Sequence, residues 1–419
     1  MKNAVLCVAV VVLGCTMALG QAQEKILYSF SGTDGSRPVS KLMLDGSGNL
    51  FGTTQEGGTT NWGTVFELSP QQDGTWSETV IYNFCQNFDG HHCLDGAFPE
   101  ASLIADHDGN LYGTTYSGGS CPDNGSGCGI VFELSPPTPG NITWQETVLY
   151  TFCEVHTCPD GAEPLGKLTF DSEGNLYGTT KDGGGAVGGV VFELSPTPSG
   201  WTESVLYRFC SIGQFPYCPD GFYPMAGVTF DKSGNLFGTT NVGGSPNSEG
   251  LGVLFKLSPG QSGWTESVIK PGGLKNGYFP VAEVNFDSKG NLYCTATEGG
   301  LGAGVVYRLS PDETKHQIFS FNGNDGEYPY AGVLIDPRNG NLYGTTLSGG
   351  FGRNFNCQGG CGTVYKIDGQ GETLLYSFLG GTDGAAPMAG LAADKQGHLY
   401  GTTNLGGANN QGAVFEIIP

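Results

Sequence analysis

A seven-residue signature recurs seven times along the chain. It reads GNLFGTT from Gly48, GNLYGTT from Gly109 and Gly174, and GNLFGTT from Gly234. It continues as GNLYCTA from Gly290, GNLYGTT from Gly340 and GHLYGTT from Gly397. The intervals are 61, 65, 60, 56, 50 and 57 residues, in or just above the range of radial repeat architectures. A unit of this size cannot bury its own apolar face and must stack on its neighbours, so the period restricts the chain to an array or a closed ring.

Each repeat shows four short strand signals. In the third copy Gly166 to Asp171 (GKLTFD) alternates, Ser172-Glu173-Gly174-Asn175 forms a turn, and Leu176 to Thr180 is a second strand. A Gly-rich loop leads to Val190 to Leu194 (VVFEL), and Ser195-Pro196 ends that strand because Pro cannot donate to a ladder. Glu203 to Phe209 (ESVLYRF) is the fourth. No stretch carries a helical apolar period. Four strands in each of seven repeats predict an all-β, seven-bladed β-propeller spanning 21–419 as one domain. The chain begins with a lone fourth-strand signal, Lys25 to Phe30, and finishes with three strands ending at Val414 to Ile417. The N-terminal strand is therefore expected to complete the last blade and close the ring, which removes open sheet edges.

Glycine supplies 72 of the 419 residues, which alone would suggest disorder. Aromatic residues at 11 % and charged residues at only 14 % argue instead for a large core. The net charge of −22 argues against nucleic acid and anionic membrane surfaces as partners. Residues 1–20 read as a signal peptide, with an apolar run after Lys2 and Ala18-Leu19-Gly20 before the cut. Val12-Leu13-Gly14-Cys15 also fits a lipid-attachment site at Cys15, so a secreted or periplasmic chain and a lipid-anchored envelope protein both stand. No later run is long enough to span a membrane. Five close cysteine pairs, Cys85/Cys93, Cys121/Cys128, Cys153/Cys158, Cys210/Cys218 and Cys357/Cys361, read as local disulfides of an oxidising compartment. Cys294 replaces a repeat glycine and reads as a buried free thiol.

The run from GNLYGTT through GG to GxVFELSP, as in Gly174 to Pro196, resembles the GloVer tandem repeat of the choice-of-anchor proteins. The resemblance covers about residues 25–419. It implies a secreted bacterial repeat protein, often with a C-terminal surface anchor, and no established activity. This chain stops at Pro419 directly after a strand signal, which leaves that anchor without a counterpart in the sequence.

Residues shared by most repeats serve the blade, so departures are the better functional candidates. Asp45, Asp106, Asp171, Asp231, Asp287, Asp336 and Asp394 precede the GN turn, where a carboxylate accepts backbone N–H groups. Asp34, Asp95, Asp160, Asp220, Asp325 and Asp383 precede Gly in another loop and read as turn formers. Trp76, Trp144, Trp201 and Trp264 read as packing residues. Topology places all five cysteine pairs on one face, which becomes the expected ligand-binding face together with the mouth of the axial channel. Trp62, Tyr116, Phe351 and Phe355 are its unusual aromatics. Lys41, Lys167 and Glu283 replace Gly on the innermost strand, with Glu100 and Tyr330 two positions earlier in their blades. Arg353, Lys181 and Lys275 could meet an acidic ligand at the rim. The expected function is non-catalytic binding of an extracellular glycan or protein by a monomer, with no metal and no cofactor. The alternative is a polysaccharide lyase or glycosidase in which His92 or His156 acts as acid or base.

Overall fold

The computed structural model describes residues 22–120, 128–185, 187–245, 250–261, 263–269, 277–353 and 357–419. Seven four-stranded antiparallel sheets are arranged as the blades of a propeller. The third blade runs Thr169–Phe170, Leu176–Thr180, Val190–Thr197 and Gly200–Arg208 from axis to rim. In the closing blade Gln23–Ser29 pairs with Ala413–Ile418, outside Leu399–Thr403 and Ala392–Ala393. The ring is latched by its N-terminal strand.

The GTT signature has a separate task for each residue. A Cβ on Gly178 would stand within 3 Å of the Phe192 ring edge, so glycine lets the third-strand aromatic lie flat across the second strand. The first Thr stitches blades together: Thr179 Oγ1 donates to Ala226 O at 2.8 Å, and Thr239 Oγ1 to Ala282 O at 3.1 Å. The second Thr ties down the loop that follows, as Thr180 Oγ1 does to Asp182 O at 2.9 Å. Where Cys294 replaces the glycine, Tyr307 replaces the Phe, and the thiol is fully buried and free of disulfide bonding. Burial pushes that thiol up to about 11, so it is inert.

The innermost strand is shorter than its alternation suggests. Only Thr169–Phe170 pairs in the third blade, while the preceding Leu165 to Lys167 lines the axis. Strands converge there, and Gly166 lies so close to the Gly227 backbone that no side chain fits between blades. The GN-turn acids act as expected: Asp171 Oδ1 accepts from the Glu173 and Asn175 N–H groups at 2.8 and 2.9 Å. The Asp-Gly acids do more than form turns, since Asp95 also accepts from Tyr82 Oη at 2.9 Å and anchors the outer strand.

Disulfides join Cys85–Cys93, Cys153–Cys158, Cys210–Cys218 and Cys357–Cys361. Cys121, the remaining expected partner of Cys128, lies outside the described residues, as do the leader with Cys15, Lys275 and Phe355. The four disulfides fit an oxidising environment. Among the described residues no helix is long and apolar enough to cross a membrane. The two long loop types share a face because one extra bridge links them in every blade, as in Ala97↔Ser117 and Ala162↔Asp182.

Candidate functional site

Just before the innermost strand, each repeat carries an X-Pro dipeptide. The X residues Arg37, Phe98, Glu163, Tyr223, Phe279, Tyr328 and Ala386 all lie in the left-handed region, with φ between 55° and 59°. A non-glycine residue ahead of Pro resists that conformation, so the backbone must hold it there. It does so with two hydrogen bonds. Phe98 N donates to Trp62 O of the preceding blade at 2.9 Å, and Phe98 O accepts from Tyr116 N at 2.9 Å. Glu163 is held the same way by Cys128 O and Lys181 N, both at 3.0 Å. The device repeats in all seven blades and sets a ring of variable side chains around the channel mouth.

Four of those seven are aromatic, and three of them, Tyr223, Phe279 and Tyr328, follow one another over blades four to six. Trp62, 39 % exposed, meets the Phe98 ring edge-on at 4.9 Å. Lys181 Nζ pairs with Glu163 Oε2 at 2.7 Å and lies 5.3 Å from the centre of the Tyr116 ring. Burial alone would lower the Lys181 ammonium, but the Glu163 carboxylate overrides it and holds it above the usual lysine range. Burial and the Glu163 hydrogen bond together raise the Tyr116 phenol.

Below the mouth lies an axial cavity of about 120 Å³ to which every blade contributes. Glu100, Lys41, Lys167, Glu283 and Tyr330 all line it. Glu100 Oε1 accepts from Gln55 Nε2 at 2.7 Å. Burial raises the Glu100 carboxyl, and the Lys181 charge partly opposes this. Tyr330, on the other side of the ring, is raised first by burial and then by the Glu100 charge. Deeper down, burial lowers the Lys41 ammonium, Glu283 counteracts it, and Lys167 adds to it. A Cβ on Gly227 would collide with Lys167 O, and one on Gly332 with Glu283 O, so neighbouring blades meet backbone to backbone at this level.

Glu100, Tyr116, Tyr330 and Lys181 are thus brought together, with Trp62 joined through Phe98, while Lys167 and Glu283 sit lower beside Lys41. Arg353 is exposed, and its Nη1 donates to Gln358 O of its own loop at 3.4 Å. Phe351 is 68 % exposed in that loop. His92 Nδ1 contacts Asp89 Oδ2 at 3.3 Å inside the Cys85–Cys93 loop, and His156 stands exposed in the Cys153–Cys158 loop. Among the described residues, no group of three or more His, Cys, Asp or Glu is placed to hold a metal ion. Sequence reasoning passed over the X-Pro ring, although a Pro recurs at 38, 99, 164, 224, 280, 329 and 387 with a changing residue before it.

A closed ring of seven such units, with its variable side chains gathered at one mouth, defines a repeat-built propeller scaffold. The chain belongs to the Gloeobacter/Verrucomicrobia repeat family, whose model matches residues 14–248 and 214–415. No curated protein matches the sequence. Among solved structures, it is similar to the extracellular domain of a putative hybrid two-component system from B. thetaiotaomicron. That match has 10 % identity and a TM-score of 0.55, and covers 94 % of this chain and 39 % of the other. A protein of unknown function from Dyadobacter fermentans matches at 14 % identity and a TM-score of 0.46, with 95 % and 98 % covered. The first likeness is one of fold alone, and this chain spans well under half of that protein's length.

Proposed function

We propose that the chain is exported and binds an extracellular glycan at the channel mouth on its stapled face. The observation that carries this reading is the aromatic group of Trp62, Phe98 and Tyr116 beside the Glu163–Lys181 pair. Half-exposed rings such as Trp62 and Tyr116 offer flat apolar faces to the C–H faces of sugar rings. The ion pair and the Glu100 carboxyl supply directed partners for hydroxyl groups. A rigid ring holds these groups in place before the ligand arrives, which lowers the entropy cost of binding.

The test is affinity electrophoresis of the chain from Gln21 onward through neutral and acidic polysaccharides, with product analysis by mass spectrometry. Retention on at least one polymer is expected, weakened by Trp62→Ala and more by Tyr116→Ala, each ring being worth about 0.5–1.5 kcal/mol. No retention on any polymer would remove this reading. New oligosaccharides that vanish with His92→Ala or His156→Ala would replace it with a carbohydrate-active enzyme.

A further inference from the structure

On the opposite, short-turn face, adjacent blades meet in a wedge-shaped gap floored by the aromatic residue of the GNLYGTT strand. In four junctions a tryptophan from the next blade enters the gap. Trp76 meets Tyr400 at 6.2 Å, Trp144 meets Phe51 at 6.3 Å, and Trp264 meets Tyr177 at 6.4 Å, all edge-on. Trp201 packs against the cluster that contains Tyr112. Between the fourth and fifth blades no tryptophan arrives. The hairpin there is cut to Ser310–Thr314, closed by a Ser310 N–Thr314 O bond of 2.9 Å.

The gap left behind is a cleft of about 660 Å³, within the range of small-molecule sites. Its floor and walls are Phe230, Phe237, Phe286 and Leu309, with Phe237 and Phe286 edge-on at 5.3 Å. The charge beside the floor is reversed as well. Opposite Phe51, Tyr112, Tyr177 and Tyr400 the third strand carries Glu67, Glu133, Glu193 and Glu416; opposite Phe237 it carries Lys256. Lys256 Nζ lies 5.6 Å from the Phe237 ring centre. Lys232, whose Nζ donates to Ser288 O of the next blade at 2.8 Å, and Lys289 also line the cleft, in a chain with only 18 basic residues against 40 acidic ones. The acids at the same turns are engaged by backbone and amide groups: Asp231 accepts from Ser233 N, Asn235 N and Asn235 Nδ2, and Asp287 from the matching groups of Lys289 and Asn291. Asp231 also feels the Lys256 charge, and Glu313 is a third acid on the cleft wall, so three lysines face three acids there.

We propose that this cleft is a second binding site, taking a planar bicyclic aromatic that carries a carboxylate. The ring would lie where sibling junctions hold an indole, and the carboxylate would face Lys256 with Lys232 and Lys289 at the entrance. A charge-assisted contact in a partly dry cleft selects the anion over its neutral parent. This site is independent of the reading of the channel mouth.

The experiment is isothermal titration of the chain with indole-3-acetate and, separately, with indole. One saturable site is expected, at least about tenfold tighter for the acid. Lys256→Glu, which installs the sibling charge, should remove that preference and leave indole binding in place. Replacing Ser310–Thr314 with the fourth-blade hairpin Ser258–Thr265 brings in its tryptophan and should abolish both. Absence of saturation by indole-3-acetate at millimolar concentration would overturn the proposal, as would binding that is unchanged in Lys256→Glu. Should the hairpin exchange fail to fold, the charge variant decides alone.

Discussion

The junctions from the seventh blade round to the fourth and those from the fourth round to the seventh share a backbone and differ in how the gap between blades is filled. In the first group an indole from the next blade covers the second-strand aromatic, and a glutamate sits beside it. In the second group the indole is missing and the neighbouring residue is Lys256, Arg308 or Lys366. Lys256 lies over Phe237, Arg308 reaches Tyr293, and Lys366 turns to Asp368 at 2.7 Å. A cation over a ring at an exposed site contributes about 0.5–1 kcal/mol, less than a packed indole. Ring closure therefore tolerates unequal junctions, provided that the contacts common to all of them hold.

One such contact is a glycine placed before every third strand. Gly129 (φ 80°) faces Pro164 of the next blade, and Gly252 (φ 89°) faces Pro280, with a Thr carbonyl oxygen close behind each. A methyl group there would meet both a left-handed backbone penalty of about 1–2 kcal/mol and overpacking of about 1–3 kcal/mol. Gly129→Ala and Gly252→Ala should each cost about 3 kcal/mol, read from the denaturant midpoint. Equal losses would place this contact beneath the difference between the two groups; a much smaller loss at Gly252 would mean that the open junction already gives way.

The wedge itself gives the next effect. Trp144→Ala should cost about 2–3 kcal/mol, short of the value for a fully buried tryptophan because Trp144 is half-buried. Lys256→Ala, at the open junction, should stay within about 1 kcal/mol. Similar losses at the two sites would show that the lysine stem fills its gap as well as an indole does.

The ring was legible because seven near-copies of one signature, with a fourth-strand signal displaced to the N-terminus, allow few other closures. The axial charges were legible too, since Lys41, Lys167 and Glu283 stand where sister blades keep glycine. Two features were not. The X-Pro rim hides in plain composition: the Asp-Gly before it satisfies a turn reading, and only the positive φ shows that the next residue is presented rather than buried. The exchange of tryptophan for a cation joins residues of different blades, Trp264 with Glu193 and no tryptophan with Lys256, so no single repeat displays it. Comparing repeats finds departures from a consensus, and it misses pairs that change together across a boundary.

Acid–base behaviour sharpens the contrast with the smallest effect per site. Between blades, Tyr28 Oη donates to Asp34 at 2.6 Å, and the Glu78 carboxyl lies beside that aspartate. Glu24, Glu78, Glu146, Glu203, Glu266 and Glu372 are each pushed up to about 7, first by burial and then by a neighbouring Asp. Each keeps one buried carboxyl oxygen without a hydrogen-bond partner, which makes charging costly. An unfolded glutamate releases its proton near 4.5, so between there and about 7 the folded ring holds more protons and loses stability as pH rises. The fourth–fifth junction has Lys315 at this position, its ammonium 4.2 Å from the Tyr307 ring centre and lowered by burial to about 8. There the unfolded chain holds more protons between about 8 and 10.5, so that junction gains stability as pH rises through the window. Thermal unfolding should therefore shift to lower temperature from pH 5 to pH 8. Glu78→Gln should be neutral at pH 5 and stabilising at pH 8 by less than about 1 kcal/mol, since solvent screens a half-exposed group. Lys315→Met should stabilise at pH 7 and bring no gain at pH 10.5. A melting temperature that climbs from pH 5 to pH 8 would show that the buried glutamates are charged in the ring, and burial would then not set the acid–base behaviour of the six junctions that carry them.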